Sequence, residues 1–413
     1  MIVPVVINGV ELSFLLDTGV TKPIIFNFLN VTDSLQINNV ETIQLRGLGG
    51  GEPIEALRSR QNVLKIGDAI NISQDLFVII DQTLNFTPKL GTDIHGIIGY
   101  DLFKDFIVEI NYQKKHIILH DPNYYTYKEC KKCEVFNLTF NNKKPYLDAI
   151  VGIRDKNIPI KLLIDSGGSD DLWLFEDIDQ GINLDKEPYF RDFLGFGLSG
   201  DVHGKRSKVN TFKLKSFELS EVNVAFPDSA SIRFAQQFSE RDGSIAGGLL
   251  RRFNMIVDYK NAKLTIKKNS HFKDPFYYNK SGIVLEQQGL RVVKDLKRPS
   301  IENLFPSSLG NTNPSSSGNN TISMVQIMEY SLQPAFTIVQ VRENSPAEKA
   351  GLLVGDVVIS INNKDTSKHS LQEVNGLFHD KDGKIMSLKI ERDGLLMKYK
   401  FRLKNVFEQQ TPQ

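Results

Sequence analysis

Through the first two thirds of the chain, apolar and polar residues mostly alternate, the period of half-buried strands. The segment VPVVINGVELSFLLD alternates about Asn8-Gly9, a dipeptide suited to a tight hairpin turn, so two antiparallel strands are predicted there. QNVLKIGDAINISQDLFVIID continues as strands about Gly67-Asp68. In GYDLFKDF the apolar spacing lengthens to three or four, which predicts a short helix before the strand IVEINY and its hairpin partner HIILH. The order then returns, with LLRRF as the helix and MIVDY and LTIKK as the closing strands. NYYTYKECKKCE bridges the two copies.

Three ordered matches define this repeat. ELSFLLDTGV around Asp17 matches IPIKLLIDSGG around Asp165, an offset of 165 − 17 = 148. RGLGGG around Gly49 matches LGFGLSG around Gly197, again 197 − 49 = 148. GIIGYDLFKDFIVEINY from Gly96 matches GSIAGGLLRRFNMIVDY from Gly243, 243 − 96 = 147, without a gap to Tyr112 and Tyr259. The chain therefore carries a duplicated, mostly β unit, with lobes expected at residues 1–128 and 129–272.

After His271 the repeat stops. FTIVQV, DVVISIN, IMSLKIER and MKYKFRL read as strands, interleaved with helices around AEKAG and SLQEVNGLF. SGIVLEQQGLRVV already reads as a strand, so an α+β domain is expected over 281–406. The Ser-, Asn-, Gly- and Pro-rich stretch at about 304–321 is then a loop inserted in it, or a linker before it.

Composition excludes several classes. A chain of 413 residues exceeds one core, and 50 basic against 49 acidic residues leave no field to gather nucleic acid or anionic lipid. No apolar run approaches the ~18 residues of a membrane-spanning helix. The N-terminus MIVPVVING reads as a strand and not as a signal peptide, so the protein is intracellular or its numbering follows a removed leader. Cys130 and Cys133 are the only cysteines; a local disulfide or two idle thiols is the expectation, since half a metal site has no second half.

The chemistry lies in D-[ST]-G. Chance would place that triplet about 0.2 times in such a chain, yet it occurs at Asp17-Thr18-Gly19 and Asp165-Ser166-Gly167, each after three apolar residues. An apolar strand delivers a carboxylate, the hydroxyl ties down backbone, and Gly permits two such loops to approach. Packed about a pseudo-twofold axis, the two carboxyls would meet, share a proton and titrate as a pair. Read singly, each Asp is a turn carboxylate capping a strand end, and each Gly stretch an ordinary hairpin loop. Gly195-Phe196-Gly197-Leu198-Ser199-Gly200 formally fits GxGxxG, but no helical pattern follows, and neither HExxH nor GxSxG occurs. His95, beside the Gly96 element, reads as a local structural residue.

FLLDTG and LLIDSG, each followed by a Gly-rich hairpin and then GIIG or GSIAG before a helix, resemble the two lobes of a retropepsin-like aspartic protease fused in one chain. The resemblance covers nearly all of residues 1–272. It departs at Ala246, where Gly is usual, and at Val20, where Ala or Ser is usual. It implies Asp17 and Asp165 as catalytic residues, with Thr18, Gly19, Ser166 and Gly167 as active-site loops. Gly47, Leu48, Gly49 and Gly50, with Gly195, Phe196 and Gly197, would be substrate-covering flaps. It implies an aspartic endopeptidase acting on proteins or peptides, with no cofactor, no metal and a catalytically sufficient monomer.

FTIVQVRENSPAEKAGLLVGDVVISINNKD resembles a bacterial PDZ domain. That implies peptide addition beside Phe336–Val341, with Ala335, Phe336, Thr337 and Ile338 in the groove, Leu371–Phe378 as the groove helix and the loop Leu332–Phe336 as carboxylate site. Pro334 removes one N–H from that loop. By analogy with bacterial PDZ proteases, a periplasmic, secreted or cell-envelope location is expected, a cytoplasmic one staying open. The alternative function is an inactive peptide-binding scaffold on a protease-derived fold.

Overall fold

The computed structural model describes residues 1–26, 35–81, 84–185, 187–297 and 327–409, so the low-complexity stretch at 304–321 lies outside the described residues. Most of the described chain is strand. It forms two compact units. One holds Met1–Thr87, Thr92–Lys280 and the segment from Lys404; the other holds Pro88–Gly91 and Ser281–Leu403. The last turn, Val406–Gln409, which the sequence assigned partly to the C-terminal domain, thus belongs to the first unit.

The repeat holds strand by strand. In the first lobe the sheet order is Ile2–Ile7, Val10–Leu16, Gly96–Ile98, Ile24–Ile25, Ala69–Val78, Ile54–Ile66, Glu41–Leu45. The second lobe runs Lys144–Ile153, Lys156–Asp165, Gly243–Ala246, Leu172–Leu174, Phe217–Pro227, Gly200–Leu214, Phe190–Gly197, with one extra edge strand at Thr139–Asn141. Each sheet also closes on itself, Ile2–Ile7 pairing with Ile54–Ile66 and Lys144–Ile153 with Gly200–Leu214. Alternation explains the first hairpin: Val3, Val5, Ile7, Leu12, Phe14 and Leu16 are buried while their neighbours are not.

A third sheet welds the lobes. Ile107–Asn111 from the first pairs antiparallel with Phe253–Asp258 from the second, Val108 opposite Val257 and Asn111 opposite Asn254. The two strands are equivalents in the repeat, so pairing them sets the two copies about a common axis. One hydrophobic core runs through both lobes, from Val3 to Phe276. The bridge between the copies carries the Cys130–Cys133 disulfide.

In each lobe a short strand threads between two others, and glycine permits it. Gly96 and Gly243 begin these strands. A Cβ on Gly243 would lie 1.9 Å from the Trp173 carbonyl oxygen, and one on Gly96 would lie 2.4 Å from that of Ile24. Gly243→Ala should therefore wedge a paired backbone apart and cost about 1–3 kcal/mol, read as a lower urea midpoint with an unchanged slope. An unaltered midpoint would contradict the close approach.

Candidate active site

Asp17 follows the last residue of Val10–Leu16, and Asp165 ends Lys156–Asp165. In both lobes the threading strand lies parallel beside that end, Leu16 opposite Ile98 and Asp165 opposite Ala246. The two loops are tied reciprocally. Thr18 N–H donates to Ser166 Oγ (3.1 Å), and Ser166 N–H donates to Thr18 Oγ1 (3.1 Å). Thr18 Oγ1 donates to the Ile164 carbonyl (2.6 Å), and Ser166 Oγ donates to the Leu16 carbonyl (2.9 Å). Thr18 and Ser166 are both buried, and each hydroxyl both accepts and donates across the lobes where water does not compete, so the network is rigid.

That network brings the two carboxylates together. A Cβ on Gly19 would lie 3.1 Å from Asp17 Oδ1 and 4.0 Å from Asp165 Oδ1. One on Gly167 would fall 2.4 Å from Asp17 Oδ2, so the second loop has no room for a side chain there, and the first has little. Gly19 N–H donates to Asp17 Oδ1 (2.7 Å), and Gly168 N–H to Asp165 Oδ1 (2.9 Å). Burial, and next the neighbouring Asp165, push the Asp17 carboxyl up to about 7. Two cations, the half-buried Lys144 and the buried Arg241, stand in the field of this pair. Burial pulls Lys144 down while Asp17 and Asp165 oppose that shift, and burial pulls Arg241 down against Tyr146 and Asp165.

The two departures from the expected pattern, Val20 and Ala246, lie at the same junction of opposite lobes. Gly99 of the first lobe corresponds to Ala246, and Val20 corresponds to Gly168. A Cβ on Gly99 would lie 2.4 Å from the Val20 carbonyl, whereas one on Gly168 would lie 3.0 Å from Ala246 Cβ. The first lobe has glycine at 99 against Val20, and the second has it at 168 against Ala246.

Both Gly-rich stretches are hairpin tips, and they meet. Ser199 N–H donates to the Leu48 carbonyl (2.9 Å), Gly51 N–H to the Ser199 carbonyl (2.7 Å) and Gly47 N–H to Ser199 Oγ (3.2 Å). Gly49 N–H reaches the Ser231 carbonyl in the second lobe (3.0 Å). The tip leucines cross over. Leu198 packs with Ile24, Phe26, Ala56 and Ile97 of the first lobe, and Leu48 with Phe175, Ile232 and Trp173 of the second. A Cβ on Gly197 would strike the Leu48 carbonyl at 1.9 Å. Phe196 is exposed and its ring lies tilted against Phe193 at 4.5 Å, while Gly195 has φ +152°. Sequence reasoning picked the glycines with Leu48 and Phe196 and missed Leu198, Ser199 and Ser231 as contact residues, whose importance arises only where the two tips touch. A Leu at each tip, 48 and 198, was the available signal.

In the second unit the expected peptide groove is corrected. Ala335, Phe336, Thr337 and Ile338 lie inside the strand Ile327–Val341. Ile283–Lys297 pairs along it, Gln287 opposite Phe336 and Leu285 opposite Ile338. On its other side Thr337 pairs with Val357, and Ile338 N–H donates to the Asp356 carbonyl. A strand occupied on both edges cannot add a peptide. Leu332–Phe336 is likewise strand and not a carboxylate-binding loop. Ile283–Lys297 is the outer strand of this sheet, and the helix Leu371–Gly376, capped by Ser370 and Glu373, packs against it.

Comparison with known families agrees with this division. Residues 3–102 match the aspartyl protease family model, and residues 337–392 match a PDZ domain. No curated protein matches the chain. The chain thus carries an aspartyl protease domain and a PDZ domain, which support a protease-type or peptide-binding role. No helix among the described residues is long and apolar enough to cross a membrane.

Two outcomes test this geometry. Between the unfolded Asp value near 4 and about 7, the folded protein holds a proton on Asp17 that the unfolded chain has released, so stability falls as pH rises. Asp17→Asn should flatten that loss in calorimetry, with a melting temperature at pH 7 raised by about 3 °C; a steeper slope would refute it. At the flap, Gly49 has φ +111° and a Cβ there would meet Ser199 at 2.5 Å, while Gly50 faces open space. Gly49→Ala should speed amide exchange at Gly51 and Ser199, and Gly50→Ala should leave it unchanged.

Proposed function

We propose that the chain is an aspartic endopeptidase that hydrolyses peptide bonds with a water held between Asp17 and Asp165. The observation that carries this reading is the buried reciprocal network of Thr18 and Ser166, which ties together the two loops that bear these carboxyls. Burial and the neighbouring Asp165 raise Asp17 to about 7, so it holds a proton toward neutrality, and two such close carboxyls can share one proton between an acid and a base role. The ionised member takes a proton from water as its oxygen attacks the peptide carbon. The protonated member donates to the carbonyl oxygen, and the tetrahedral intermediate then collapses with proton transfer to the leaving nitrogen.

The crossed hairpin tips supply the cover. Closing Leu48 and Leu198 over the carboxyls would exclude water beyond the one that reacts, and opening them would admit a chain. Because both carboxyls come from one chain, a monomer suffices. The PDZ unit would hold a partner or substrate peptide, with the outer strand Ile283–Lys297 and the helix Leu371–Gly376 forming the groove. The Cys130–Cys133 disulfide favours an oxidising compartment such as the periplasm or the cell exterior.

Cleavage of an unfolded protein such as casein tests the reading. Asp17→Asn and Asp165→Asn should each lower kcat by at least about a thousandfold, and the double variant should lose little more, because the pair acts as one unit. The pH profile should be a bell bounded by two apparent pKa values of the pair. A folded wild type that binds peptides but cleaves nothing would assign the chain to the scaffolding alternative.

A further inference from the structure

The PDZ unit is an insertion into the protease unit. The chain leaves that unit after Lys280 and re-enters it at Lys404. Both crossings abut one aromatic cluster. Phe190, Tyr278 and Val406 are buried together, with Phe407 packed on them. The Phe190 and Tyr278 rings meet edge-on at 5.2 Å, and Phe407 lies 5.9 Å from each. Tyr278 stands just before the exit and Phe407 just after the return. Phe190 is the first residue of Phe190–Gly197, the arm that carries the second flap.

From this cluster, contacts run to the flap and to the Asp165 loop. Tyr278 Oη accepts the Val224 N–H (3.0 Å) and donates to the Ser207 carbonyl. Arg206 lies over the Tyr278 ring at 5.9 Å. Its guanidinium binds Asp192 on the flap arm (2.8 Å) and Asp170 in the loop after Asp165 (2.6 Å). Asp170 also accepts Trp173 Nε1 (2.6 Å), and Trp173 packs against the cluster that receives Leu48. The first flap has a different foot. There Glu41 pairs with Arg58 and Arg60 and Asp75 with Arg58, and Glu41, Arg58 and Arg60 are well exposed. Such ion pairs hold little.

We propose that Val406 and Phe407 brace the arm of the second flap, Phe190–Gly197, so that the return connection from the PDZ insertion positions this arm, while the arm of the first flap, Glu41–Leu45, stands on its own foot although the two tips touch. Phe407 is a positioning residue: it acts through Phe190, Tyr278 and Arg206, not on substrate. The consequence for catalysis rests on the protease reading above; the brace itself does not. Anything that draws the return connection away unseats Phe407 and loosens one flap of two, which makes the closed state sensitive to the inserted domain.

Hydrogen–deuterium exchange on the full chain decides it without requiring activity. In Phe407→Ala, amides of Phe190–Gly197 and of 200–206 should exchange about fivefold faster, the loss of one edge-on aromatic contact. Amides of Glu41–Leu45 should keep the wild-type rate, and Phe407→Leu should restore most of the second flap's protection. With a peptide substrate the same variant should raise KM about threefold at unchanged kcat. Equal acceleration in both flaps, whether through general destabilisation or otherwise, overturns the proposal, as does unchanged protection at the second flap. An inactive wild type showing the predicted exchange pattern would retain the brace and reject only the protease.

Discussion

The buried exchange of hydrogen bonds between Thr18 and Ser166 is the constraint on which the rest of the protein depends. Each hydroxyl accepts an N–H from the other lobe and donates to a carbonyl just before the other lobe's Asp. Substituting one hydroxyl would strand an N–H and a carbonyl in a buried place, which is costly because water cannot replace the partner. The same four bonds hold Asp17 near Asp165, and that closeness, added to burial, raises the Asp17 pKa. Rigidity, electrostatics and the glycines at 19 and 167 are one requirement seen three ways.

Around that centre the duplicated lobes have diverged where symmetry is not required. The strand order is shared, yet the junction glycine sits at Gly99 in one lobe and at Gly168 in the other. One flap tip is bonded to Ser231 by Gly49, and the other presents Ser199 to three groups of its neighbour. One flap foot is an exposed charge cluster; the other is an aromatic cluster beneath Arg206. A single chain can assign different tasks to its two halves, which a symmetric dimer of identical chains cannot.

The PDZ unit shows how a correct family resemblance can misplace a site. Its motif run, helices and core strands fall where the pattern suggested, with Ser345 capping Pro346–Lys349 and a capping box on Leu371–Gly376. The resemblance places the groove beside Phe336–Val341, the strand with which the recognisable run begins. Whether a strand is an edge depends on its neighbours, and SGIVLEQQGL supplies the neighbour from far upstream in sequence.

The sequence by itself determined the duplication, the mostly β character, the two carboxylates and the two Gly-rich tips. These follow from local period, turn chemistry and a fixed offset, properties that neighbours in the chain carry. Tertiary structure alone decided which groups face one another. The Thr18–Ser166 exchange spans 148 residues, the Leu48 and Leu198 crossover joins opposite lobes, and Phe407 meets Phe190 only after the chain has passed through a second domain. No periodicity encodes such meetings, because hydroxyls, leucines and phenylalanines look alike in sequence whether or not a distant partner completes them.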